Sequence, residues 1–357
     1  MKVVHVVNVI GALRWGVERF QEVEADERNI VKPRGAPTIE HPEPVCTEYL
    51  KPTERVLLSP SRDANPFFHF FEGLWMLAGR NDLAFLLRLN KQIAAYSDDG
   101  ERIWGAYGWR WRDFFGFDQL REVVRLLTSD PDSRRGVVTM WDPRGDVLGN
   151  TGKWIGLGRA TEGGPTGKDI PCNTHLYFKI RRDQLHMTIC NRSNDMVWGA
   201  YGANAVHMSM LQEYIACKLG VGVGVMRQVS DSLHVYLPPH RGGEIWAKMK
   251  AAFAENPSEF SDDPYRYRFS PFPMGAHHRD WDEDLEHFLK IIDVGLMPYP
   301  AAFETEFFQR VATPLWLAWE TRDEKILEGC TAPDWRQAAT EWIKRRKNAA
   351  SALDVPL

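Results

Sequence analysis

The chain has 357 residues, 44% of them hydrophobic and 26% charged, which is the make-up of an ordinary globular protein with material for one large domain or two modest ones. A formal net charge of −4 gives no sign of a general nucleic-acid binder, and no apolar stretch is long enough to cross a bilayer. The five cysteines, Cys46, Cys172, Cys190, Cys217 and Cys330, are odd in number, widely spaced and free of CxxC pairs, so they read as reduced thiols of a cytoplasmic protein and not as a disulfide framework.

The opening MKVVHVVNVIGALRWG predicts a strand over 3–9 and a short helix over 12–24, and it lacks the small-residue cleavage site of a signal peptide. Seven prolines between 33 and 66 predict loop and short strand. Asn65-Pro66 then opens FFHFFEGLWMLAG, a run so apolar that it must be a buried helix, ending at Gly79. Glu72 sits inside that run, and a buried carboxylate needs a partner, water or a task. A helix follows over 82–95, then the turn-rich SDDGERIWGAYG, then an amphipathic helix over 117–128 stopped by Asp130-Pro131.

SRRGVVTMWD predicts a strand, and 143–170, with eight glycines, predicts a flexible loop. THLYFKIRR and QLHMTICNRS alternate as two strands joined by a turn at Arg182-Asp183-Gln184. ANAVHMSMLQEYIACKLG fits a long buried helix with a glycine cap, and VGVGVMRQVSDSLHVY supplies one or two strands. Its GVGVG is no dinucleotide loop, because it follows a helix where that fingerprint requires a strand. From about 240 the pattern is mostly helical, ending in DWRQAATEWIKRRKNAASAL.

Cys172 admits three readings. A free thiol is most often a small buried hydrophobe. A zinc ligand would draw on Cys172, His175 and Cys190, but the zinc deaminases need PCxxC, and the fourth position here is His175. A nucleophile needs nearby cations to favour the thiolate, and Arg192, Arg134 and Arg135 are available. Arginine beside Ser193 is also the chemistry of a phosphate clamp, so a thiol near such a clamp points to covalent attack on a nucleotide base.

In this order the motifs resemble the thymidylate synthase family, including its phage-type deoxyuridylate and deoxycytidylate hydroxymethylase branch, through most of 65–240. FEGLWMLAGRND resembles the helix with the family's catalytic glutamate, at Glu72, and AYGWRW its Tyr-Gly-x-x-Trp segment, at Tyr107. DPDSRR resembles the paired arginines that reach a partner's substrate phosphate, at Arg134 and Arg135. Pro-Cys places the nucleophile at Cys172, and RSND gives phosphate-binding Arg192 and Ser193 plus Asp195. SDSLHVY resembles the segment that holds the sugar hydroxyl, at His234 and Tyr236. The resemblance further implies substrate contacts from Arg34, Asn173 and Asn204.

What the resemblance implies is an α/β (α+β) fold: a large mixed sheet around a buried central helix, dimerising through the sheet's back face. A catalytic part over 1–240 would carry a mostly helical extension, 241–357, packed on the same domain. Cysteine would add to C6 of a pyrimidine nucleoside monophosphate, and C5 would then take a one-carbon unit from methylenetetrahydrofolate, a reduced folate. Hydride then gives a methyl group and water a hydroxymethyl group.

Departures from the methylating synthases decide the branch. The histidine after Pro-Cys is Asn173, and IAAYSDDG lacks the tryptophan that shields the methylene, with Ala94 or Ala95 near that place and Trp104 as a possible substitute. The end, SALDVPL, has no likeness to the tail that closes over folate, and VWGAYGANAVH has one extra residue. Counting back from His234, Asn204 falls on the base-reading asparagine, whose amide suits uracil, although asparagine is equally favoured as a helix N-cap. The expectation is hydroxymethylation of dUMP. The alternatives are dTMP synthesis, dCMP hydroxymethylation and a non-catalytic nucleotide- or RNA-binding relative.

Overall fold

Alternating burial makes the first residues a strand: in β1 (Lys2–Val6), Val4 and Val6 face inward while Val3 and His5 face out. Asn8 caps α1 (Val9–Glu24) by accepting from the N–H groups of Ile10 and Gly11, so the helix starts before the apolar periodicity does. The computed structural model describes residues 1–33, 36–148, 153–156, 159–162 and 168–352. The proline-rich stretch holds the short strands β2 (Ile30–Val31), β3 (Thr38–Glu40) and β4 (Val45–Tyr49).

Asn65 caps α2 (Pro66–Leu77), with Pro66 in its first turn. The helix expected over 82–95 is two pieces: α3 (Leu83–Leu89) stops at Asn90, whose side chain starts a 3₁₀ segment, Lys91–Tyr96. The helices α4 (Tyr107–Arg112) and α5 (Gln119–Ser129) follow. β5 (Val137–Thr139) is shorter than SRRGVVTMWD implies, because Asp142 leaves the sheet to cap α6 (Pro143–Leu148), accepting from Arg144 and Gly145. The stretch 143–170 is therefore not simply loop. It holds α6 and a hairpin of β6 (Lys153–Gly156) with β7 (Arg159–Glu162), and the overlooked signal for α6 was Asp-Pro as cap and first helical residue.

β8 (Asn173–Arg181) and β9 (Gln184–Asp195) form a hairpin whose turn residues, Arg182 and Asp183, have φ of 53° and 55°, the left-handed pair that suits the twist of two strands. A π-helical turn over Met196–Ala203 leads into α7 (Asn204–Leu219), and the following β10 (Gly222–Tyr236) is one 15-residue strand. The rest is helical: α8 (Arg241–Glu255), α9 (Trp281–Asp293), α10 (Thr313–Thr321) and α11 (Pro333–Ala352).

The large sheet has the order β1-β4-β10-β9-β8-β5, with β3 pairing β10 and β2 pairing β3. It is mixed: β10 runs parallel to β9 but antiparallel to β4, and β8 is antiparallel to both β9 and β5. Consequently the start of β8 and the far ends of β9 and β10 gather at one end of the sheet. The register sets Asn173 against Asn191, Ser193 against Ser232 and Asp195 against His234.

α7 is buried along nearly its whole length and packs against α2. The largely apolar character of α2 has a specific cause, because aromatic rings from beyond residue 280 cover it. Phe67 meets Trp319 and Trp342, Phe70 meets Phe307 and Trp335, and Phe71 meets Phe288 and Trp316, at centroid distances of 5.0 to 6.0 Å. Each buried phenylalanine contributes about 2–3 kcal/mol. One hydrophobic cluster runs from β1 to α11. Among the described residues no helix is long and apolar enough to cross a membrane.

Candidate active site

Cys172 lies immediately before β8, half-buried, and a single arginine fixes its surroundings. The backbone N–H of Arg192 donates to the Cys172 carbonyl at 3.0 Å. Its Nε donates to the Pro171 carbonyl and its Nη2 to the Ile170 carbonyl, both at 3.0 Å, which leaves Nη2 4.0 Å from the Cys172 Sγ. The guanidinium also lies over the Trp141 ring, 5.6 Å from its centroid. A permanent positive charge thus stands beside a thiol whose reactive form is the anion. None of the five cysteines is in a disulfide, and among the described residues no group of three His, Cys, Asp or Glu side chains is placed to hold a metal.

Ser193 and Asp195 follow on the same strand end. Asp195 accepts from the Trp198 N–H at 2.7 Å and so starts the π-helical turn. Its Oδ2 is buried and accepts no hydrogen bond from the described residues. Burial pushes this carboxyl up, against the pull of His234 and of the buried Arg62. His234, the register partner of Asp195, has Nδ1 3.3 Å from the Ser232 carbonyl and meets the Tyr236 ring edge-on at 5.3 Å. Tyr236 in turn stacks on His240 at 3.9 Å.

Glu72 comes from α2, and the partner its burial requires is His207 of α7, whose Nε2 is 3.4 Å from a Glu72 carboxyl oxygen. The same Nε2 lies 3.1 Å from the His69 carbonyl, which can only accept, so Nε2 carries the proton. Burial, then the charge of Asp169, pushes Glu72 up to about 8. Burial pushes His207 down to about 4. Near neutral pH the pair is therefore a protonated acid against a neutral imidazole.

Tyr107 opens α4, which sits directly on α2: a Cβ on Gly108 would stand 2.0 Å from the Met76 carbonyl oxygen, so the Tyr-Gly pair needs its glycine. Burial, then Cys172 and Asp169, push the Tyr107 phenol upward, and Asn173 is fully buried. The loop before Tyr107 is clamped by Arg110. That buried side chain donates to the Trp104 carbonyl at 3.2 Å and forms a two-pronged pair with Asp146 at 2.8 and 2.9 Å. Trp104 is 8% exposed. Ala94 and Ala95 are exposed.

Asn204 is not an N-cap. Ala203 occupies that place with no side-chain cap, because the π-helical turn runs straight into α7. The Asn204 amide instead donates to the Asn194 Oδ1 at 3.1 Å. Arg134 and Arg135 are not brought to the cluster either: both are exposed before β5. The β5–β8 register carries them toward the Lys179 end of β8, roughly 20 Å from Cys172 at ordinary strand rise. Arg34 and the last residues of SALDVPL lie outside the described residues.

Four residues that the linear reading passed over belong to this neighbourhood. His207 is the Glu72 partner. Asp169 accepts from the Gly105 N–H at 2.7 Å, and burial raises it to about 6. The Tyr96 phenol is raised by burial, then by the charges of Asp195, Asp169 and Cys172. Arg62, 1% exposed, donates to the Val197 carbonyl at 2.9 Å and lies 4.9 Å from the Trp198 ring centroid. Asp169 stands only three residues before Cys172, which was a usable signal; the other three become visible only when α2, α7 and the sheet end are assembled.

Known proteins with this architecture are informative at this point. Residues 67–244 match the family model described as "Thymidylate synthase". A deoxyuridylate hydroxymethyltransferase of Pseudomonas phage M6 is 40% identical, across 99% of this chain and 96% of that protein. Another deoxyuridylate hydroxymethyltransferase, from Bacillus phage SP01, is 37% identical across 64% of this chain and 58% of that protein. The crystal structure of thymidylate synthase from T4 phage superposes with a TM-score of 0.52 at 17% identity, covering 77% of this chain and 91% of that one, which establishes the shared fold.

Proposed function

This chain belongs to the thymidylate synthase family and is a transferase, and on that premise we propose that it converts dUMP to 5-hydroxymethyl-dUMP with methylenetetrahydrofolate as the one-carbon donor. The observation that carries the reading is the Cys172 thiol held 4.0 Å from the fixed Arg192 guanidinium, in one neighbourhood with a buried, proton-holding Glu72. The kinship with the deoxyuridylate hydroxymethyltransferase of Pseudomonas phage M6 supports the same choice of substrate and product.

Cys172 adds to C6 of the uracil ring, and the electron pair moves to C5 and O4. Arg192 and Ser193 hold the phosphate, and His234 with Tyr236 holds the sugar hydroxyl. Bound folate supplies a methylene group at the oxidation level of formaldehyde. The buried Asp195 Oδ2, which lacks a donor among the described residues, fits a ring N–H of such a ligand. Glu72, still protonated near neutral pH, shuttles a proton at O4 and C5. C5 bonds to the methylene carbon of the folate and then loses its proton, and cleavage of the bond to the folate nitrogen releases tetrahydrofolate and leaves the one-carbon unit as an exocyclic methylene. The oxygen of water bonds to that carbon, a water proton leaves, and the Cys172 thiolate departs from C6. Ala94 and Ala95, exposed where the methylating enzymes carry a shielding indole, leave room for the water.

Arg134 and Arg135 act in this scheme on the phosphate bound by a partner, in a cytoplasmic homodimer formed through the sheet. Exposed Val137 and Tyr177, paired across β5 and β8, give that face an apolar surface beside the two arginines. Thymidylate synthesis is the second reading, favoured by the clamped Trp104, whose indole offers an alternative shield. Incubating the protein with methylenetetrahydrofolate and either dUMP or dCMP, followed by mass spectrometry, tests the assignment. Hydroxymethylated dUMP is expected; dTMP promotes the second reading, and hydroxymethylated dCMP alone contradicts the choice of base.

A further inference from the structure

Asn204 is connected to the interior of the sheet by a chain of amides whose direction is fixed at its far end. Gln228, 1% exposed in the middle of β10, donates through Nε2 to the Ala200 carbonyl at 3.1 Å and to the Tyr49 hydroxyl at 3.3 Å. A peptide carbonyl can only accept. The Tyr49 hydroxyl spends its one proton on the same Ala200 carbonyl, at 2.9 Å, and so offers Gln228 only lone pairs. The Gln228 amide therefore has a single orientation, with Oε1 turned toward Asn194.

That orientation propagates. Asn194, 1% exposed, donates through Nδ2 to the Gln228 Oε1 at 3.2 Å and to the Ser230 Oγ at 3.1 Å. Both Nδ2 protons are used, so the Asn194 Oδ1 faces the other way and accepts from the Asn204 Nδ2 at 3.1 Å. The contact is tight: a Cβ on Gly199 would fall 2.6 Å from the Asn194 Oδ1 and 3.0 Å from the Asn204 Nδ2, so only glycine lets the amide pair pass. Rotating the half-buried Asn204 amide by 180° would set two carbonyl oxygens against each other.

We propose that Asn194 and Gln228 are positioning residues that lock the Asn204 amide in the orientation that reads uracil and rejects cytosine. The proposal rests on Asn204 being the base-facing amide. Uracil shows a carbonyl O4 and an N3–H, which one remaining Nδ2 proton and the Oδ1 of Asn204 match. Cytosine shows an amino group and a bare N3, which demand the reverse order. An asparagine free to turn serves either base by rotating. The relay removes that freedom, so base choice is built into the sheet interior and not only at the contact residue.

The test compares kcat/KM for dUMP and dCMP, with binding of both nucleotides measured by calorimetry, in wild type, Asn194→Ala, Asn194→Asp and Gln228→Met. Asn194→Ala releases the amide, and the dUMP/dCMP ratio is expected to fall by about tenfold or more. Asn194→Asp keeps an acceptor facing Nδ2 but sets another against the Gln228 Oε1, and its ratio is expected to lie between those of wild type and Asn194→Ala. Gln228→Met removes the anchor while preserving volume and is expected to lower the ratio in the same direction; it decides the matter if Asn194→Ala does not fold. A folded Asn194→Ala or Gln228→Met protein that loses activity equally on both nucleotides, with an unchanged ratio, overturns the relay. A wild-type enzyme with no preference for dUMP overturns instead the reading of Asn204 on which the relay depends.

Discussion

Replacing Glu72 by glutamine removes a carboxyl whose ionisation opposes folding. In the unfolded chain a glutamate ionises near 4.5, whereas in the fold burial and then Asp169 hold Glu72 at about 8. Between those values the unfolded chain has released a proton that the folded protein still carries. Stability therefore declines as pH rises through that window and is level below it and above it. At about 1.4 kcal/mol per pH unit the whole interval corresponds to roughly 5 kcal/mol. The side chain keeps 16% exposure to water, so we take about half, roughly 2–3 kcal/mol. Glutamine has nearly the same shape and no charge, so Glu72→Gln is expected to match wild type near pH 5 and to exceed it by that amount near pH 9. At about 2 °C per kcal/mol for a chain of this size, the melting temperatures should part by roughly 5 °C. Other groups titrate in both proteins and cancel in the difference. Thermal melts of the two proteins across pH 5–9 read it directly. A constant offset, or a wild type that gains on the variant as pH rises, refutes the argument that Glu72 is held protonated by its surroundings.

The nucleophile, the phosphate clamp and the dimer each make a separate demand. Cys172→Ser is expected to abolish turnover while dUMP still binds, because a hydroxyl without a base adds poorly to the ring; more than a few per cent of residual activity contradicts the assignment. Arg192→Ala is expected to weaken dUMP binding by about 1.5–3 kcal/mol while deoxyuridine binding hardly changes, and equal losses by calorimetry place Arg192 away from the phosphate. Mixing Arg134→Ala subunits with Cys172→Ser subunits is expected to restore part of the activity through one intact hybrid site. No recovery, with hybrids shown by mass spectrometry, argues against a phosphate contact across the dimer.

The order of short motifs pointed to the thiol, its arginine, the acid on the apolar helix and the His–Tyr pair, because each rests on residue types that carry chemistry in themselves. Alternation gave the β8–β9 hairpin for the same reason: one face of each strand is buried. The failures share a physical origin. The break at Asn90 and the start of α6 at Asp142-Pro143 are decided by single capping side chains, which periodicity does not register. The sequence leaves an N-cap open as the alternative role of Asn204, but the π-helical turn before α7 runs straight into that helix and the Asn204 amide bonds Asn194 instead. His207, Asp169, Tyr96 and Arg62 are far from one another in the chain. Only the packing of α2 on α7 and the gathering of strand ends turns them into one environment, and their perturbed protonation follows from that burial.

The oxygen of the product separates water attack from hydride transfer, and isotope labelling follows that atom. The enzyme, dUMP and methylenetetrahydrofolate are incubated in water enriched in oxygen-18, and the nucleotide product and the folate are analysed by mass spectrometry. Water attack on the exocyclic methylene puts one labelled oxygen into a hydroxymethyl group and leaves tetrahydrofolate. An unlabelled 5-methyl product, formed in equal amount with dihydrofolate, would mean that hydride reaches the methylene first and would contradict the account.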